Sequence, residues 1–135
     1  MPRMSKPVLN VTAAIIYNDN KFLICQRPKE KACGLLWEFP GGKIEPGETP
    51  EDCISRECME ELNIELENIH YFCNTKYEYP DKIINLAFFK TTIKDSEQLA
   101  AKEHNAVAWV DNSKLDKYDF CPTDTKMLEQ FKNDL

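Results

Sequence analysis

A chain of 135 residues can bury one core but hardly two, so a single domain over 1–135 is expected. Hydrophobic residues at 42% and charged residues at 30% exclude a disordered tract, and no run approaches the roughly 18 apolar residues of a membrane span. A formal charge of −6 excludes a surface that tracks a nucleic-acid polymer through clustered Lys and Arg, and leaves a small anion held with local cations or a metal.

Residues 1–7 carry no apolar stretch after their basic positions, so no signal peptide is read there and a cytoplasmic location is expected. Residues 8–17 are rich in Val, Ile and Thr; Asn18, Asp19 and Asn20 follow, then the apolar run 22–25. This is a β-hairpin on a tight polar turn. Residues 28–34 are polar and irregular and are expected as a loop over the sheet. The six cysteines, Cys25, Cys33, Cys53, Cys58, Cys73 and Cys121, form no C-x-x-C pair and are expected as free, buried thiols.

Thr49, Pro50 and Asp52 predict a helix start, with Thr49 as N-cap, Pro50 at the first helical position and Asp52 as the capping-box acid. The helix is expected to end at Leu62, with Asn63 in a left-handed position. Residues 71–79 and 82–92 predict strands around a turn at Pro80 and Asp81, residues 106–110 a short strand, and residues 123–131 a helix. Strands, helix, strands, helix, with hairpins between neighbouring strands, predicts a mixed β-sheet sandwiched between helices, an α/β/α arrangement.

From Gly42 to Ile64 the chain reads GKIEPGETPEDCISRECMEELNI. At about 3.6 residues per turn, Glu57, Glu60 and Glu61 share a stripe roughly 100° wide, beside an apolar face of Ile54, Cys58 and Leu62. Like charges at that spacing destabilise a helix unless something neutralises them, and a hard cation such as Mg²⁺ does so through carboxylate oxygens. On the helix alone, an acidic face paired with Arg56 through its i,i+4 relation to Glu60 is the commoner explanation. The glycines of Pro40-Gly41-Gly42 and Pro46-Gly47-Glu48 shift the balance, because they let backbone approach a metal or a phosphate closely.

In that segment Gly42, Glu48, Arg56, Glu57, Cys58, Glu60, Glu61 and Ile64 fall in register with the Nudix signature G-x5-E-x7-R-E-U-x-E-E-x-G-U, with Asn63 in place of the second glycine. The chain is therefore identified as resembling the Nudix hydrolases, and Trp37 to Glu45 and Tyr77 to Lys82 resemble the MutT-like branch. The resemblance implies a Nudix fold with a loop-helix-loop catalytic motif. It also implies that Glu57, Glu60 and Glu61 bind Mg²⁺ (or Mn²⁺), with the Gly42 carbonyl nearby and Glu48 as a further carboxylate. Glu103 resembles a metal-binding or base carboxylate, and either Glu57 or Glu103 is the candidate for activating water, with Arg56 holding a glutamate in place. Arg27, Phe39, Lys82 and Asp124 are candidate substrate-binding residues. His104 is expected as an exposed loop residue without a ligand role.

The resemblance implies hydrolysis of a nucleoside triphosphate, a small-molecule partner for a monomer or homodimer, to the monophosphate and pyrophosphate. The leading reading is nucleotide-pool sanitising on 8-oxo-dGTP. A CTP or dCTP pyrophosphohydrolase stands close beside it, because Pro122-Thr123-Asp124 followed by Met127-Leu128-Glu129 resembles that branch. Asp124 divides the two: ionised, it only accepts and suits the N1–H and N2–H donors of guanine, whereas protonated it suits cytosine. A nucleotide-binding sensor without turnover and an RNA-decapping enzyme are the readings from further away.

Overall fold

The first hairpin closes on Asp19 and Asn20, whose φ angles of 51° and 63° make the turn that matches strand twist and that Asp and Asn tolerate best. On either side run β1 (Val8–Asn18) and β2 (Lys21–Gln26). The computed structural model describes residues 6–135, so most of the basic opening stretch lies outside the described residues.

The chain continues through β3 (Trp37–Glu38), β4 (Gly41–Lys43), α1 (Pro50–Leu62), β5 (Leu66–Glu78), β6 (Ile83–Ile93), β7 (Ala106–Val110) and α2 (Pro122–Phe131), with short 3₁₀ turns after β6, β7 and α2. One seven-stranded sheet results, with β1 and β6 parallel and the other pairs antiparallel. This is the expected mixed sheet. One edge of β1 is shared: β2 pairs with it at Tyr17 and Asn18, and β4 at Val11 to Ala13. The segment linking them therefore crosses the sheet at Phe39 and Pro40, and this fork opens the cleft described below.

Both faces of the sheet are covered, which explains why β1 and β2 read as continuous apolar runs rather than alternating ones. Ala13, Ile15, Phe22 and Ile24 pack with Leu115, Phe120 and Met127 on the α2 side. Ala14, Ile16, Leu23 and Cys25 pack with Ile54, Cys58 and Leu62 on the α1 side.

Helix α1 starts as its sequence dictates: the Thr49 side chain accepts from the Asp52 N–H, and Pro50 occupies the first turn. It ends on Asn63 at φ 56° and ψ 40°, so asparagine meets the left-handed requirement usually met by glycine. The β5–β6 hairpin closes at Pro80 and Asp81, with the Tyr79 N–H donating to the Lys82 carbonyl. β5 begins at Leu66, five residues before the strand expected at 71. Asn68 at φ 53° and two register shifts break the alternation that marks a strand. Five cysteines are buried as expected, and Cys33 is half-buried.

Candidate active site

Two glycines bring β4 against its neighbours. A Cβ on Gly41 would overlap the Thr12 carbonyl, and a Cβ on Gly42 would lie 2.6 Å from both oxygens of Glu57. Backbone and carboxylate thus share a space that no other residue type leaves open. The Gly42 carbonyl itself accepts from Thr12 Oγ1 at 3.3 Å and Cys53 Sγ at 3.5 Å, so it is engaged toward β1 and α1.

Arg56 gathers the acids of the motif. Its Nε donates to Glu48 Oε2 at 2.6 Å and one terminal nitrogen to Glu48 Oε1 at 2.9 Å, a two-pronged pair. The other terminal nitrogen reaches Glu57 Oε1 at 2.9 Å and Glu60 Oε2 at 3.2 Å. The Arg56 hydrogen bonds, with one from the Glu45 N–H, hold the Glu48 carboxyl down at about 2. Glu57 goes the other way: burial raises its pKa despite Arg56, with Glu60 and Glu103 adding to the rise.

Glu61 is the least satisfied acid of the stripe. It is buried, and its Oε2 has no hydrogen-bond partner among the described residues. Burial, with the charges of Glu57, Glu38 and Glu103 behind it, pushes its pKa up to about 9. Glu103 is exposed and lines a small recess with Glu61, Glu38 and Arg27. His104 corrects the expectation of an exposed loop residue: its side chain is only 3% exposed, with Nε2 at 3.1 Å from Glu38 Oε2 and 3.7 Å from Glu61 Oε1.

Beside the acids lies a cleft of about 440 Å³ that takes in Arg27, Glu38, Phe39, Gly42, Lys82 and Asp124. All four candidate substrate residues meet there. Phe39 turns its ring into the core, stacked on Phe120, and gives its backbone N–H to Asp124 Oδ1 at 3.1 Å. Lys82 stands over the Tyr79 ring. Arg27 donates to Glu38 Oε1 at 3.1 Å and to the Ala32 carbonyl at 2.6 Å. Asp124, in the first turn of α2, is 3% exposed. Burial raises its pKa well above the ordinary value, and the Glu38 charge adds to this, while the Phe39 N–H only partly opposes it.

No site role was read for Glu38 or for the cleft residues Tyr79, Cys33 and Cys121, and His104 was read as exposed. Glu38 alone carried a signal, as the polar position between Trp37 and Phe39 in a stretch otherwise apolar.

Among the described residues no three of His, Cys, Asp and Glu converge as a ready-made metal cage, because Glu48, Glu57 and Glu60 turn toward Arg56. The set still fits a hard cation. Oxygen donors predominate, Glu61 holds a buried carboxylate oxygen that nothing satisfies, and Gly42 leaves room against Glu57.

A model of the NUDIX domain matches residues 6–131. The chain is 37% identical over 125 residues to the CTP pyrophosphohydrolase of Escherichia coli K12, covering 92% of this chain and 91% of that protein. It is 33% identical over 132 residues to the 8-oxo-dGTP diphosphatase of Haemophilus influenzae, covering 97% and 96%. The solution structure of the E. coli ORF135 protein superposes with a TM-score of 0.80 at 36% identity, over 98% of this chain and 94% of that one.

Proposed function

The chain belongs to the Nudix hydrolase family, and from that premise we propose that it hydrolyses a nucleoside triphosphate to the monophosphate and pyrophosphate with Mg²⁺, taking a cytidine nucleotide by preference. The observation that carries the substrate class is Asp124, 3% exposed in the wall of the cleft, where burial raises its pKa well above the ordinary carboxylate value.

In this reading Glu57, Glu60 and Glu61 hold the cation, with Glu48 and Glu103 as further carboxylates. Bound there, the ion would offset phosphate charge and make water a better nucleophile. Arg56 fixes Glu48 through a two-pronged pair and Glu57 through one hydrogen bond. Glu57, made more basic by burial, is the residue suited to take the proton from water, and exposed Glu103 is the second candidate. Arg27 and Lys82 supply positive charge to the phosphates at the cleft wall.

A neutral carboxyl offers one O–H donor and one carbonyl acceptor. This complements the N3 acceptor and N4 amino group of cytosine and mismatches the two donors of guanine's N1 and N2 edge. This favours CTP or dCTP over a guanine nucleotide read through its N1 and N2 edge. A second reading rests on the same observation: oxidation places a hydrogen on N7 of guanine beside the O6 acceptor, so 8-oxo-dGTP also presents a donor next to an acceptor.

The deciding experiment is a hydrolysis panel of CTP, dCTP, 8-oxo-dGTP, dGTP and ATP, with a diphosphate sugar and a dinucleoside polyphosphate as controls. Pyrophosphate release that is highest for cytidine nucleotides, absent in EDTA and restored by Mg²⁺ or Mn²⁺ is the expected result. Fastest hydrolysis of 8-oxo-dGTP would overturn the cytidine preference in favour of the second reading, fastest hydrolysis of dGTP or ATP would overturn both, and full activity in EDTA would overturn the metal assignment.

A further inference from the structure

We infer that His104 is a positioning residue that ties the wall of the nucleotide cleft to the acidic helix. The inference rests on the reading of that helix as a cation site, and on four observations about the loop that carries it.

The loop is pinned on both sides of the histidine. The Lys102 N–H donates to the Glu61 carbonyl at 3.0 Å, and the Asn105 N–H donates to the Gln26 carbonyl at 2.9 Å. The Asn105 side chain adds a bond to Gln26 Oε1 at 2.6 Å. Between these anchors the His104 ring is driven inward, which a surface loop does not do by default.

Once inside, its Nε2 faces two carboxylates, at 3.1 Å from Glu38 and 3.7 Å from Glu61. The other oxygen of Glu38 is held by Arg27, itself anchored on the Ala32 carbonyl. A hydrogen-bonded chain therefore runs Arg27, Glu38, His104 from the loop over the sheet, and the imidazole at its end stands 3.7 Å from Glu61 on α1. Among the described residues the Glu61 carboxyl makes no side-chain hydrogen bond: its Oε2 is buried and unsatisfied, and its Oε1 has the imidazole at 3.7 Å.

In the tautomer that carries its hydrogen on Nε2 the ring donates to Glu38 at 3.1 Å, and at 3.7 Å, beyond hydrogen-bond reach, it stands against Glu61 Oε1 and limits where that carboxyl can turn. Glu38 keeps its place in the cleft, and Glu61 keeps its free oxygen turned to where a cation would be held. Partners that orient a metal-binding carboxylate from behind typically carry about 10- to 100-fold in metal affinity. A histidine kept only to fill space would carry none.

The test reads cation binding directly, without nucleotide. Mn²⁺ affinity is measured by titration calorimetry on the wild-type chain and on His104→Ala, His104→Phe and His104→Gln, with circular dichroism to check folding. Phe keeps the ring volume without a donor, and Gln places an amide N–H near the position of Nε2. The expected result is a roughly 10-fold weaker Mn²⁺ affinity in the Ala and Phe variants and recovery to near wild type in the Gln variant. If the Ala variant fails to fold, the Phe and Gln pair carries the comparison. Equal Mn²⁺ affinity in folded Phe and Gln variants overturns the inference, as does a wild-type chain that binds no Mn²⁺. A wild-type chain whose Mn²⁺ affinity depends on the residue at 104 in this way but which hydrolyses nothing in the panel leaves this inference standing and refutes the substrate reading.

Discussion

Glu57 lies at the meeting point of three features: the bare α-carbon of Gly42, the guanidinium of Arg56, and the burial that raises its own pKa. Replacing it with Gln keeps the shape and removes the charge. Glu57→Gln should lower kcat by about 100-fold or more while circular dichroism stays unchanged. A kcat close to wild type would show it to be an ordinary helix acid. Asp124 gives a prediction about stability instead. At acid pH the carboxyl is protonated in both states. As pH rises past its unfolded value of 3.8 the unfolded chain ionises it while the folded chain keeps the proton, so folding stability falls until the raised folded pKa is reached. Asp124→Asn removes that loss. Urea unfolding between pH 4 and pH 8 should show the Asn variant gaining on wild type as pH rises, by at most about 1.4 kcal/mol per pH unit. A constant difference across the range would mean that Asp124 is ionised in the fold. The identity of Asp124 was readable in the chain, but its charge state was not, because burial against Phe39 and Glu38 is set by segments 85 residues apart in sequence.

At the scale of elements, α1 was legible from both ends because its signals are local. Thr49 satisfies the Asp52 N–H within one turn, and Asn63 adopts its left-handed φ while its side chain donates to the Gln98 carbonyl. Thr49→Ala should lower stability by about 1 kcal/mol in urea unfolding, the usual worth of such a cap, without moving the KM for nucleotide. An unchanged unfolding midpoint would mean that packing of Ile54, Cys58 and Leu62 alone fixes the helix start. The strands were less legible. β3 and β4 hold two and three residues, too few to show a period, and they exist because Gly41 can lie against the Thr12 carbonyl and Trp37 can pair with Gln26. The loop between β6 and β7 was legible only as polar sequence. What organises it is three hydrogen bonds with the end of α1, in which the Ala100 and Lys102 N–H groups donate to the Leu62 and Glu61 carbonyls and the Asn63 side chain donates to the Gln98 carbonyl, and these long-range pairings leave no pattern in the loop itself.

On the scale of the molecule, the fold brings four separated segments to one place: the fork at Phe39 to Gly42, helix α1, the Glu103 and His104 loop, and the first turn of α2. The contiguous motif was readable because its spacing lies on one helix. The cleft became readable only when β1 and β6 paired and α2 closed over the sheet. The same convergence concentrates negative charge in a chain already at −6: Glu103 adds to the raised proton affinity of Glu57, and Glu57, Glu38 and Glu103 add to that of Glu61. Folding therefore draws these acids together against repulsion, and Arg56 alone reaches only Glu45, Glu48, Glu57 and Glu60. A divalent cation that binds the folded chain and not the unfolded one shifts that balance by mass action, by about 2.7 kcal/mol at a hundredfold excess over its Kd. Thermal unfolding in saturating Mg²⁺ or Mn²⁺ should thus run several degrees above that in EDTA, and Glu57→Gln should blunt the difference. Because the ion must displace the proton held by Glu61 up to about 9, the stabilisation should grow as pH is raised from 6 to 8. Identical melting curves with metal and with EDTA at both pH values would remove the cation from the acidic helix and leave its charge to be offset by Arg56 and Arg27.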